Sequence, residues 1–172
     1  MSQKKRKKNK RRKNRKAYPL FIDTGPLLLF LVGSYRRELI GKAKRIKKYD
    51  VTQYDILIQF LSGRKIYVTP GVIAEVTYFA GDIERLNLEN FIKCNLSSLK
   101  EMGEIHIPLN SIIETNEIIK FGYTDTTLFK GAHVNNGEIL TDDHPLCNFC
   151  SKMKLKATHM EYIIARASQF IQ

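Results

Sequence analysis

The chain has 172 residues, a length that suits one domain and leaves room for a substantial core. Of its 29 Lys+Arg, eleven fall between Lys4 and Lys16 with no acid among them, so residues 18–172 carry 18 basic against 17 acidic side chains and sum to only +1 of the formal +12. This excludes a folded body whose own surface is strongly basic, and 43% apolar composition excludes a chain without a core. Residues 1–17 read as a solvated, self-repelling arm, and residues 18–172 as the domain. Lys4, Lys5, Arg6, Arg11 and Arg12 of the arm are also suited to grip a phosphate backbone by displacing counterions.

The domain alternates short apolar runs with helical stretches. Leu20-Phe21-Ile22 is a strand that ends at Asp23; Thr24 then caps a helix through Val32, with Pro26 in its first turn where a missing N–H is harmless. Residues 33–50 are rich in Lys and Arg and read as a surface excursion. Tyr54, Leu57, Ile58 and Leu61 recur at helical spacing over 51–61, and Ser62-Gly63 stops that helix. Residues 65–68 form a second strand, Thr69-Pro70 a cap and first turn, and 71–80 a helix closed by Gly81. One or two helices follow before Gly103, then a third strand over 104–107. Helices are expected over 111–120 and 124–133 with a break at Phe121-Gly122-Tyr123. Asn135-Asn136-Gly137 is a turn before a fourth strand, 138–141, which ends at Asp142-Asp143. A helix over 145–153, a short fifth strand over 155–158 and a helix over 161–170 complete the chain. Strands separated by helices imply an α/β fold with a parallel sheet of four to five strands, covered on both faces.

The placement of a few acids is the informative feature. Asp23 and Asp142-Asp143 each follow an apolar strand directly, and the carboxyl ends of strands in an open parallel sheet line the ligand crevice. Glu75 stands inside the apolar frame Val72-Ile73-Ala74-Glu75-Val76, a costly position for a charge unless something offsets it. Asp125 sits at a helix start. Taken singly, Asp125 suits a helix dipole and Asp142-Asp143 suit a helix cap. Taken together, four acids meeting in one crevice repel unless cations join them, and hard oxygen donors select Mg²⁺ or Mn²⁺.

Four segments carry a resemblance: Phe21-Ile22-Asp23-Thr24, Thr69-Pro70-Gly71-Val72-Ile73-Ala74-Glu75-Val76, Tyr123-Thr124-Asp125-Thr126 and Ile139-Leu140-Thr141-Asp142-Asp143. In order and interval they resemble the successive motifs of PIN-domain nucleases, over roughly residues 18–160. The resemblance implies a three-layer α/β/α sandwich and metal-dependent endoribonuclease activity with Mg²⁺ or Mn²⁺. Asp23, Glu75, Asp125 and Asp143 match the family's acids, Thr24 its supporting hydroxyl residue, and Thr141 the Thr of its last motif, with Asp142 as a helper. RNA is the implied partner, a homodimer fits the family, and a protein antitoxin fits its toxin members. The long segment 33–64 and the basic arm depart from the compact toxins.

Other groupings point elsewhere. His144, Cys147, Cys150 and His159 invite a zinc reading, but the first three lie three apart on one helical face, which suits packing better for Cys147 and Cys150. His144 follows Asp143 and is placed to reach a substrate phosphate. Arg36, Arg37, Lys44 and Arg45 form a second basic cluster suited either to solvent or to an RNA backbone. No run reaches the roughly 18 uninterrupted apolar residues of a membrane span, and the stretch Leu27–Val32 is short for a secretory leader. With three cysteines, the expected setting is the cytoplasm, without a membrane. Two readings compete with the nuclease: a non-catalytic RNA-binding or scaffolding module of the same fold that uses the arm, and a phosphatase-like or DNA-directed hydrolase.

Overall fold

Leu20, Phe21 and Ile22 are wholly buried, and the strand they form is the centre of the sheet. The computed structural model describes residues 18–169; the basic arm, with its candidate phosphate-gripping side chains, lies outside the described residues. Five strands, β1 (Leu20–Ile22), β2 (Ile66–Val68), β3 (Gly103–Glu104), β4 (Glu138–Thr141) and β5 (Lys156–His159), are all parallel and stand in the order β3-β2-β1-β4-β5. The chain therefore steps outward in one direction from β1 to β3, returns to the far side of β1 as β4, and ends on β5. Its topological switch point is the β1/β4 junction, with Ile22 beside Leu140 and the Asp23 N–H bonded to the Leu140 carbonyl at 2.9 Å.

Seven helices cover the sheet: α1 (Thr24–Tyr35), α2 (Val51–Leu61), α3 (Pro70–Gly81), α4 (Leu88–Glu101), α5 (Asn116–Val134), α6 (His144–Lys152) and α7 (Met160–Ser168). Right-handed crossovers send α1 to α4 to one face, where α1 packs against α2, α3 and α4, and α7 returns to meet α2. The later strands are added on the opposite side of β1, and this sends α5 and α6 to the other face, against β1, β4 and β5. The result is a three-layer α/β/α sandwich. α1 is apolar nearly all round, with Leu27, Leu28, Leu29, Leu31 and Val32 buried, because it is enclosed by its neighbours as well as by the sheet.

Several boundaries differ from expectation for local reasons. Asp23, not Thr24, is the N-cap of α1, its carboxylate accepting the Thr24 N–H at 2.6 Å. Thr69 stands at the N-cap of α3, but its hydroxyl pairs with that of Thr127 (3.2 Å) and caps nothing. Only 109–111 is a 3₁₀ turn where a helix from 111 was expected, and α5 begins at Asn116. The break at Gly122 is real: its φ of 78° lies in the left-handed region, so α5 is two helical segments joined at that residue. The segment 33–50 is no mere surface excursion. Leu39, Ala43, Ile46 and Tyr49, spaced at three to four residues, turn inward and are buried, while the intervening Lys and Arg stay outside.

Candidate active site

Three connections meet above the carboxyl end of β1 and β4. Asp23 is 2% exposed, and both its carboxylate oxygens are engaged, one by the Thr24 N–H and the other by the Thr141 hydroxyl at 2.7 Å. That same hydroxyl accepts the Asp143 N–H at 2.9 Å, and Asp143 caps α6 by accepting the Leu146 N–H at 2.7 Å. Thr24 completes the frame by donating to Glu75 at 2.7 Å. Glu75 is thus half-buried and hydrogen-bonded, which answers the cost of its apolar frame. The two threonines named as supports bind the acids directly.

Asp125 comes from the opposite side. After the Gly122 kink the second segment of α5 starts afresh: the Thr126 hydroxyl donates to the Gly122 carbonyl and that of Thr127 to the Thr124 carbonyl, holding Asp125 in its first turn. α3 and α5 approach closely here, a Cβ on Gly71 falling 3.1 Å from the Thr124 hydroxyl. The carboxyl of Asp125 is pushed up to about 7, first by burial, then by the charges of Asp23, Asp143 and Glu75. The carboxyl of Asp23 is pushed up to about 6, by burial and by Asp142, against the lowering effect of the Thr141 hydrogen bond.

Asp142 has a different place from its neighbour. Its carboxylate is turned away and buried, accepting from Arg45 (3.3 Å) and the Tyr49 hydroxyl (3.2 Å) and paired with Lys48 (3.1 Å). Of the other basic candidates in the excursion, Arg37 pairs with Asp55 at 2.8 Å and lies over the Tyr54 ring, while Arg36 lies over Tyr35. Lys44 is exposed.

The four residues that invite a zinc reading separate. Cys150 is buried and its thiol is pushed up to about 12 by burial, the state of a packing residue. Cys147 is half-buried, its thiol also raised, and neither thiol joins a metal-ligating cluster among the described residues. The two histidines do meet, stacked with centroids 3.7 Å apart and planes 10° from parallel. Glu161, a residue the sequence reading passed over, lies 3.2 Å from the Nε2 of His144. These three are the one group among the described residues whose ligating atoms all lie within 4.8 Å of one another; no three of the four acids do. Parallel rings set the in-plane lone pairs of His144 and His159 side by side instead of toward one point, and His159 Nδ1 already accepts the Glu161 N–H as the cap of α7. Burial and the adjacent His144 lower the pKa of His159.

No family profile matches the chain, and no curated protein does. Among solved structures it is similar to a domain of a functionally unknown protein from Methanocaldococcus jannaschii DSM 2661, with a TM-score of 0.44, 15% identity, and coverage of 83% of this chain and 91% of that one. A likeness at that level carries no argument about function. Among the described residues no helix is long and apolar enough to cross a membrane.

Proposed function

We propose that this protein is a metal-dependent endoribonuclease of the PIN type. The observation that carries the reading is the hydrogen-bonded frame at the carboxyl ends of β1 and β4, in which Thr141 links Asp23 to Asp143 and Thr24 holds Glu75, with the carboxyl of Asp125 pushed up by burial and by the charges of Asp23, Asp143 and Glu75. Buried acids with raised carboxyls at the carboxyl ends of parallel strands are a mark of functional sites. The motifs around these acids resemble those of PIN nucleases in the same order.

Asp23, Glu75, Asp125 and Asp143 are the residues that would hold Mg²⁺ or Mn²⁺, hard cations suited to an all-oxygen set. Such an ion, when bound, lowers the pKa of a water and offsets charge on a phosphoryl oxygen. The chain's own contribution is orientation. Thr141 and the α1 N-terminus fix both oxygens of Asp23, Thr24 fixes Glu75, and the first turn of α6 fixes Asp143. In the reaction a water oxygen bonds to phosphorus as the P–O3′ bond breaks, and the 3′-oxygen leaves with a proton, giving 5′-phosphate and 3′-hydroxyl ends. RNA is the substrate on the family resemblance, in a toxin, defence or RNA-processing role, and three free cysteines suit a reducing cytoplasm.

The test is incubation of total RNA with the purified protein, or with its Asp23→Asn/Asp125→Asn variant, in Mn²⁺ or in EDTA. The reading requires cleavage by the wild type in Mn²⁺ alone. Equal cleavage by the double variant, or none by the wild type, ends it; RNA binding without cleavage would favour the non-catalytic module.

A further inference from the structure

Asp142 directly precedes the metal-binding acid Asp143 in the chain, yet every side-chain partner it has among the described residues comes from one segment, 45–49. Its side chain is 1% exposed, and an isolated carboxylate at that depth would be neutral or strongly destabilising. Instead Oδ1 takes Arg45, and Oδ2 takes the Lys48 ammonium and the Tyr49 hydroxyl. From below, the carboxylate rests on Gly25 in the first turn of α1, two residues after Asp23, where any Cβ would collide with it. Asp142 is therefore clamped between the first turn of α1 and the basic segment, with both oxygens used inside the protein.

We propose that Asp142 is a docking residue that fastens the segment 36–50 to the rim of the acid crevice, and that it thereby aims Arg45 at the phosphodiester of a bound nucleic-acid strand. The proposal rests on the nuclease reading for the identity of the substrate, and deepens it by naming the residue that receives the phosphate.

Charge and geometry support this role. Two cations face one carboxylate, so the dock leaves positive charge over at the rim. Arg45 makes a single hydrogen bond among the described residues, of 3.3 Å, and its side chain is 38% exposed. A guanidinium has five N–H donors in a planar fork that matches phosphate oxygens, so most of Arg45's donors are available to a ligand. Arg45 is held to Asp142, which leaves β4 immediately before Asp143, so its guanidinium stands at the rim of the crevice. Lys48 is turned over the Tyr49 ring and Arg37 is engaged by Asp55, whereas Arg45 combines a place against Asp142 with unengaged donors.

The experiment uses the full-length protein and a fluorescent single-stranded RNA, with cleavage read in Mn²⁺ and binding read by anisotropy in EDTA over a salt series. Arg45→Ala leaves Lys48 and Tyr49 on the buried Asp142 carboxylate, and circular dichroism checks its fold. It is expected to lose on the order of 10²-fold in kcat/KM, the size of one transition-state donor, while Mn²⁺ still binds. Its log–log salt slope should be shallower than wild type by about 0.7, one phosphate contact on a single strand. Arg45→Lys should recover the slope but not the rate. Asp142→Asn should also slow cleavage, and the double variant should be no slower than Arg45→Ala, because one residue acts through the other. If Asp142→Asn does not fold, Tyr49→Phe loosens the same dock and should lose rate only while Arg45 is present. A wild type that fails to cleave removes the nuclease reading, while the slope difference still decides the phosphate contact. Arg45→Ala with wild-type slope overturns the proposal, as do additive losses in the double variant.

Discussion

Thr141 donates its hydroxyl to Asp23 at 2.7 Å across the two central strands, and the same oxygen receives the N–H of Asp143 at 2.9 Å. One side chain on β4 thus orients an acid at the end of β1 and the backbone of an acid at the end of its own strand. The bond favours the ionised form of Asp23 and opposes the effect of burial.

Thr141→Val removes that donor at nearly constant volume. The Asp23 carboxyl should then titrate above its present value of about 6, and Mn²⁺ binding, followed by calorimetry across pH, should need a more alkaline solution than in the wild type. The unsatisfied oxygen and N–H should cost about 1–3 kcal/mol of stability, while Thr141→Ser keeps both effects small. An unchanged pH profile in Thr141→Val would show that the bond does not tune Asp23.

The raised carboxyl of Asp23 has a consequence for stability whose sign is fixed. Its folded pKa of about 6 stands above the ordinary 3.8, so the folded state holds the proton more tightly than the unfolded chain. The resulting stability is fully present below about pH 4 and is lost as pH rises through 6, an effect of about 3 kcal/mol at most for a shift of this size. Asp125, raised to about 7, extends the same trend upward. In EDTA, Asp23→Asn should match the wild type near pH 4 and exceed it at pH 8. Denaturant melts at the two pH values measure this; a variant less stable at pH 8 would contradict it.

Much of this arrangement was legible in the chain. A wholly apolar Leu20-Phe21-Ile22 ending in an acid, and Ile139-Leu140-Thr141 ending in two, specify buried parallel strands with carboxylates at the crevice end. Pro70 just after Thr69 and Gly122 between two helical stretches placed α3 and the kink of α5 to within a residue or two. The docking of 36–50 was not legible, because composition is dominated by Lys and Arg there and hides four inward residues. The spacing of Leu39, Ala43, Ile46 and Tyr49 was the available signal. Nor could spacing tell Asp142 from Asp143: adjacent residues leaving a strand diverge, and only the partners from the distant segment show which one turns away from the crevice. Glu161 was missed because its link to His144 crosses from α6 to α7.

Gly25→Ala tests the close approach beneath Asp142. The new methyl would stand too close to Oδ1 of the Asp142 carboxylate, which Arg45, Lys48 and Tyr49 hold in place. Displacing it should cost about 1–3 kcal/mol by overpacking and expose the segment 36–50 to limited proteolysis, although Ala is the better helix former. A variant as stable and protease-resistant as the wild type would mean that the dock is soft.

Cys150→Ala addresses the cysteines. The thiol is buried and held neutral, so its loss should act as a small cavity of about 1 kcal/mol. Mn²⁺-dependent stabilisation should survive the change. Loss of that response would reassign the cysteine to a metal.

The central claim is that Asp125 shares a cation with acids from three other elements, and the most direct measurement is Mn²⁺ binding by calorimetry to wild type and to Asp125→Asn at pH 8. The account predicts binding to the wild type that weakens as pH falls through about 7 and is lost or reduced at least tenfold in the variant, for which the repulsion that the ion relieves is already gone. Equal binding by the two proteins, or none by the wild type, would contradict it.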